Sequence, residues 1–225
     1  MSSQTMITAH SGADGTPDNS LVFVRHALTL PVDALEVDVR RGADGAPALG
    51  HDAAGSDAPR LDEVFALVQA HPSMQINCDL KEPGLEETVY RLALSHGLGG
   101  RVVFSGTVDA RATEQIPGLQ GAVDIYLNLE EYVPELYRRY RDIPDFELQA
   151  ADTICRVCAA YGIGTVNMNQ TLVTRRFCDT LAAHGLGISV WTVDWPEEME
   201  WFFTYGVRNV TTRRPQAALT VRQRV

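Results

Sequence analysis

Lysine is almost missing from this chain. Of its 19 basic residues only Lys81 is a lysine, and the rest are arginine. A sequence that uses arginine wherever a cation will do, yet keeps one lysine, points to a place that needs a compact ammonium; the other reading is a chance survivor on the surface. Cysteine is sparse as well. Four cysteines in 225 residues exclude a disulfide framework. Cys155-x-x-Cys158 has no second pair and falls in a helical stretch, so it reads as small buried side chains rather than as a metal or redox motif. No run reaches the ~18 apolar residues of a membrane span, and Met1-Ser2-Ser3-Gln4-Thr5 is not a basic, apolar leader. The expectation is a cytoplasmic protein with no stable membrane association. The 29 acidic residues leave a net charge of −10, which argues against nucleic acid as a partner. An anionic small molecule is still allowed, because a bound cation reverses the sign locally. With no repeat, low-complexity run or linker, residues 1–225 read as a single domain.

Two carboxylates stand out. In Ala34-Leu35-Glu36-Val37-Asp38-Val39 the residues alternate as in a strand, with Leu35, Val37 and Val39 on one face and Glu36 and Asp38 on the other. Burying such a pair is costly unless it is neutralised. Asp44-Gly45 signals a hairpin turn. A turn centred on that dipeptide sets position 38 opposite position 51 and brings His51 to the two acids. The group then looks like a hard-cation site with an acid/base beside it. An exposed edge hairpin with solvated acids is the plainer reading.

Further along, alternating apolar stretches read as strands at 6–10, 75–81, 102–105, 123–128, 165–169, 188–193 and 208–211, and mostly helical spacing separates them. Together with the strand at 34–39 these make eight, and βα alternation of this length predicts a (β/α)₈ TIM barrel with a hairpin after its second strand. Chemistry in such barrels gathers at the carboxyl ends of the strands. His10, Glu36, Asp38, Asp79, Lys81 and Trp191 fall at or near those ends, and the hairpin adds His51. The remaining histidines, His26, His71, His96 and His184, lie on helices or helix ends and read as structural or solvated.

In order, His10-Ser11-Gly12-Ala13, Asp18-Asn19-Ser20, Glu36-Val37-Asp38-Val39, Asp44-Gly45, His51-Asp52, Asp79-Leu80-Lys81, Trp191-Thr192-Val193 and Thr211-Thr212-Arg213-Arg214-Pro215 resemble the signature of the glycerophosphodiester phosphodiesterases. Each motif is weak, but the ordered set spans residues 6 to 219. The resemblance implies a metal-dependent phosphodiesterase on a phospholipase-C-like barrel. Glu36, Asp38 and Asp79 would hold one Mg²⁺ or Ca²⁺ ion. His10 and His51 would be the catalytic pair, Lys81 would contact phosphate, and Trp191 would lie beside the substrate. The family has glutamate at the place of Asp79; aspartate there resembles the related spider-venom phospholipase D enzymes.

Ser11 replaces the family's arginine after the first histidine and is the residue left there to meet phosphate. Thr212-Arg213-Arg214-Pro215 replaces Thr-Asp-Arg-Pro, and the segment between His51 and Leu61 is short. The expected reaction is hydrolysis of a small-molecule phosphodiester, with a glycerophosphodiester as the family substrate, giving an alcohol and a phosphomonoester. A substrate hydroxyl is the implied nucleophile, with a cyclic phosphate formed first. The rivals are a phospholipase D-like lyase that stops at the cyclic phosphate, a non-catalytic barrel that binds a phosphorylated ligand, and a barrel of unrelated chemistry using Lys81 as a Schiff base.

Overall fold

The computed structural model describes residues 4–142 and 145–225. Strand β1 (Met6–Ala9) leads through helix α1 (Leu21–Ala27) to β2 (Ala34–Arg41), which turns back as β3 (Pro47–Leu49). Helix α2 (Leu61–Gln69), β4 (Gln75–Leu80), α3 (Glu86–Ser95) and β5 (Val102–Gly106) follow. After α4 (Ala112–Gln115) and β6 (Val123–Asn128) come three helices, α5 (Leu129–Tyr132), α6 (Pro134–Arg138) and α7 (Phe146–Tyr161). The chain ends with β7 (Thr165–Asn169), α8 (Arg175–Ala183), β8 (Gly187–Trp191), α9 (Pro196–Tyr205), β9 (Asn209–Thr212) and α10 (Pro215–Arg222).

Eight strands run parallel in the order β1-β9-β8-β7-β6-β5-β4-β2, and β1 also pairs with β2, so the sheet closes. This is the expected (β/α)₈ barrel, with β3 as an antiparallel excursion beside β2. Among the described residues no helix is long and apolar enough to cross a membrane.

Local chemistry explains where the helices start and stop. Ser20 caps α1 by accepting from the Phe23 N–H, and Thr174 caps α8 by accepting from Phe177 N–H. Pro196 opens α9, and Gly206, at φ 83°, ends it in a left-handed turn. Helix α2 turns Leu61, Val64, Phe65 and Val68 inward, as the 3–4 residue spacing requires. Between strands and helices lies the core, where Phe23, Phe65, Phe104 and Phe177 are fully buried.

The lumen is polar. Asn209 accepts from Thr8 Oγ1 (2.7 Å) and donates to Ser189 Oγ (3.0 Å), while Ser105 Oγ donates to Asn77 Oδ1 (3.0 Å). Such groups are tolerated inside because each meets a partner.

The hairpin differs from expectation by one residue. Arg41 pairs with Pro47 and Val39 with Leu49, so Asp38 faces Gly50 and not His51. Asp44-Gly45 does turn the chain, with Gly45 at φ 82°, but within a five-residue loop, Gly42–Ala46, closed by Gly42 N–H to Ala46 O (2.8 Å). An odd loop moves the register by one place relative to a two-residue turn, and a one-place slip sends a side chain to the other face.

Candidate active site

The site is built first by the pairing of β2 with β4. Asp38 sits beside Asp79 and Glu36 beside Asn77, so all four point into the barrel from neighbouring strands. One carboxylate oxygen from each of Glu36, Asp38 and Asp79 lies within 4.8 Å of the others. The structure therefore brings together the three acids that the sequence suggested.

Their electrostatics follow from crowding. Burial pushes Glu36 up to about 7; His10 opposes this, and Asp38 and Asp79 add to it. Burial likewise raises Asp79 above the usual carboxylate range against the pull of Lys81. Asp38 goes the other way: burial would raise it, but Lys81 and the Asn19 hydrogen bond hold it below its ordinary value. The Lys81 Nζ lies 2.6 Å from Asp79 Oδ2 and 2.9 Å from Asp38 Oδ1. Burial would lower its ammonium, yet the two acids carry it well above the ordinary lysine range. The lone lysine is thus tied to the carboxylates at the cavity wall. One ammonium against three carboxylates leaves negative charge over, and an all-oxygen donor set of this kind fits a hard divalent cation.

The turn after β1 clamps the acids from the other side. Ser11 N–H donates to Glu36 Oε2 (3.0 Å). Asn19 Nδ2 donates to Asp38 Oδ2 (2.7 Å), and Asn19 Oδ1 accepts from Asp38 N–H (3.0 Å). Ser11 is a correction to the sequence reading. Its side chain is buried and its Oγ accepts from Asn19 N–H (2.6 Å), so the hydroxyl stands away from the cavity and holds the clamp together. Gly12 makes the turn possible: it has φ 79°, and a Cβ there would strike the Asp18 carboxylate.

His10 Nδ1 lies 2.8 Å from the Ser11 carbonyl oxygen and 3.7 Å from Glu36 Oε2. A carbonyl only accepts, so Nδ1 carries the proton, and in the neutral ring Nε2 is left with the free lone pair. The same reasoning applies to His51, whose Nδ1 meets Asp52 Oδ1 at 2.7 Å. The two histidines differ in setting. His10 has a side-chain exposure of 21%, and His51 one of 68%. The shifted hairpin register leaves His51 at the cavity rim instead of against the acids.

His10, Glu36, Asp38, His51, Asp79 and Lys81 line one cavity of about 350 Å³ at the carboxyl ends of the strands. Trp191, the last residue of β8, forms part of its wall, with its indole N–H buried and without a partner among the described residues. Sequence reading missed three further residues. Asn19 entered only as part of the Asp18-Asn19-Ser20 motif, with no role of its own, yet it holds Asp38 by both side chain and backbone. Arg213 stood out only as a departure from a motif, yet it lines the cavity and its Nη1 donates to Asp18 Oδ1 (2.9 Å). Glu130, two places beyond β6, also lines it; the strand-end rule that found Asp79 and Lys81 would have found it too.

No family model matches the chain. A curated glycerophosphodiester phosphodiesterase of Bacillus altitudinis is 24% identical over 258 aligned positions, covering 97% of this chain and 98% of that one. The chain is thus similar to a glycerophosphodiester phosphodiesterase over nearly its whole length. Among solved structures, a glycerophosphodiester phosphodiesterase from Parabacteroides distasonis superposes with a TM-score of 0.74 at 15% identity, covering 100% of this chain and 99% of that one. An Oleispira antarctica phosphodiesterase in complex with the product sn-glycerol-3-phosphate gives 0.73 at 17% identity, covering 97% and 96%. These structural likenesses show the fold, a closed (β/α)₈ barrel, over the whole chain.

Proposed function

We propose that this chain is a phosphoric diester hydrolase acting on small glycerophosphodiesters, with Glu36, Asp38 and Asp79 holding one divalent cation, Mg²⁺ or Ca²⁺. What carries the reading is the convergence of those three carboxylates with His10 and His51 on one cavity. The curated relative's name and the glycerol-phosphate complex of the Oleispira protein support the substrate class. When bound, the cation offsets the charge that grows on the phosphoryl oxygens.

The chain's own groups do the rest. His10 Nε2 takes the proton of the attacking hydroxyl, whether from water or from the substrate. An O–P bond forms and the bond to the departing alcohol breaks. His51, at the rim, acts in its imidazolium form with Nδ1–H on Asp52: its Nε2 proton passes to the departing oxygen and leaves the ring neutral, while the proton taken by His10 makes that ring the imidazolium. Lys81 and Arg213 are the ammonium and guanidinium on the wall, and they meet the phosphate oxygens. In this reading Arg213 does the work that Ser11, turned into its clamp, does not.

Phosphorus NMR on glycerophosphocholine, with Mg²⁺ or Ca²⁺ added and with chelator, tests this. The expected product is sn-glycerol 3-phosphate, formed only with the cation. A cyclic phosphate as the final product would make the protein a lyase, and no turnover of any glycerophosphodiester would remove the proposal.

A further inference from the structure

One wall of the cavity carries a carboxylate that the proposed reaction does not use. Glu130 Oε1 accepts from Asn128 Nδ2 (3.0 Å), but Oε2 is buried with no partner among the described residues. A buried acceptor left unpaired is costly, so an orphan of this kind needs a reason. Burial first of all pushes its carboxyl up to about 7; the Asn128 hydrogen bond opposes this, and Glu131 and Asp79, both negative, add to it.

Its place in the barrel supplies the reason. Three strands lie between β6 and β1 in either direction, so Glu130 stands across the mouth from His10. The carboxylate trio, His10 and Lys81 come from β1, β2, β4 and their ends, and Arg213 follows β9, which is next to β1. A phosphate held there has Arg213 and His10 on the β1 side and Lys81 at the end of β4, midway round. The opposite wall carries Glu130 and Glu131, which repel an anion. The substrate is thereby oriented, phosphate toward β1 and one ester arm toward β6.

Building on the hydrolase reading, we infer that Glu130 is a specificity-determining residue that accepts a hydrogen bond from an N–H or O–H donor on the substrate's departing alcohol. The preferred alcohol carries a primary ammonium or a free hydroxyl, and one that presents only methyl groups leaves Oε2 unpaired.

Glycerophosphoethanolamine and glycerophosphocholine share their glycerol phosphate and differ in this donor, so the two diesters are the probes. In the wild type kcat/KM should favour the ethanolamine diester about tenfold or more, since a site built to hydrogen-bond a donor rejects an analogue without one. Glu130→Leu should bring the ratio to within about twofold of unity, and Glu130→Gln should keep part of it. Glu130→Leu should also raise Tm, because the orphan acceptor is gone. An unchanged ratio in Glu130→Leu, or a Tm lowered in both variants, would overturn the inference and leave Glu130 a structural residue. If no form turns over either diester, the hydrolase reading fails separately. The Tm increments produced by the two diesters then decide the matter: a larger increment from the ethanolamine diester, lost in Glu130→Leu, supports the role of Glu130, and equal increments refute it.

Discussion

At the scale of single residues, the site depends on what each charged group finds next to it. His10 is fixed by a carbonyl that forces its tautomer, whereas His51 is held at the rim by the nearly fully exposed Asp52. As acid/base groups both should matter: His10→Ala or His51→Ala is expected to lower kcat by ~10²-fold or more on a glycerophosphodiester. A near-wild-type rate in either variant removes that histidine from the mechanism. Glu130 provides the pH test. Its carboxyl titrates near 7 in the folded protein against 4.5 as the ordinary value, so between these limits the folded state binds more protons than the unfolded one. Stability from this group is present below the ordinary value and lost as pH rises through the folded one. With the cation saturating, Tm should fall between about pH 5 and 8, and Glu130→Gln should flatten that slope. An unaltered slope would place the responsible proton elsewhere.

At the scale of elements, two short segments decide the geometry. The turn after β1 holds Glu36 through the Ser11 amide and Asp38 through Asn19. Asn19→Ala should therefore weaken cation binding by about tenfold, the range seen when a group that orients a ligand is lost. Calorimetric titration of Mg²⁺ or Ca²⁺ reads this directly, and unchanged affinity would reduce Asn19 to a loop residue. The end of β5 is as constrained. Gly106 has φ 78°, and a Cβ there would overlap the Leu80 carbonyl and the Asp79 carboxylate. Gly106→Ala should cost about 2 kcal/mol or more in denaturant unfolding. The hairpin shows how an element-level detail moves a catalytic candidate: a five-residue loop in place of a two-residue turn puts Gly50, not His51, opposite Asp38.

At the scale of the whole molecule, barrel closure takes acids more than 40 residues apart and sets them on one cation-sized spot. Such a cluster pays a desolvation and repulsion cost in the folded state that a bound ion relieves. Mg²⁺ or Ca²⁺ should raise Tm and chelator should lower it, while the double variant Asp38→Asn/Asp79→Asn should lose the response. A wild-type Tm indifferent to both ions would mean that the three carboxylates do not form a cation site.

Much of this could be read from the chain alone. Period-two alternation and helical spacing depend only on local side-chain order, and they yielded the eight strands, the barrel and the candidates at the strand ends. The carboxylate pair on β2 was legible because alternation puts Glu36 and Asp38 on one face whatever surrounds them. Tertiary structure alone decided which side chains meet. The hairpin register depends on how a loop closes, the burial of Ser11 on a contact with Asn19, and the facing of Glu130 and His10 on how many strands complete the circle. Each of these is a long-range distance, and no local pattern in a sequence encodes a distance across a barrel.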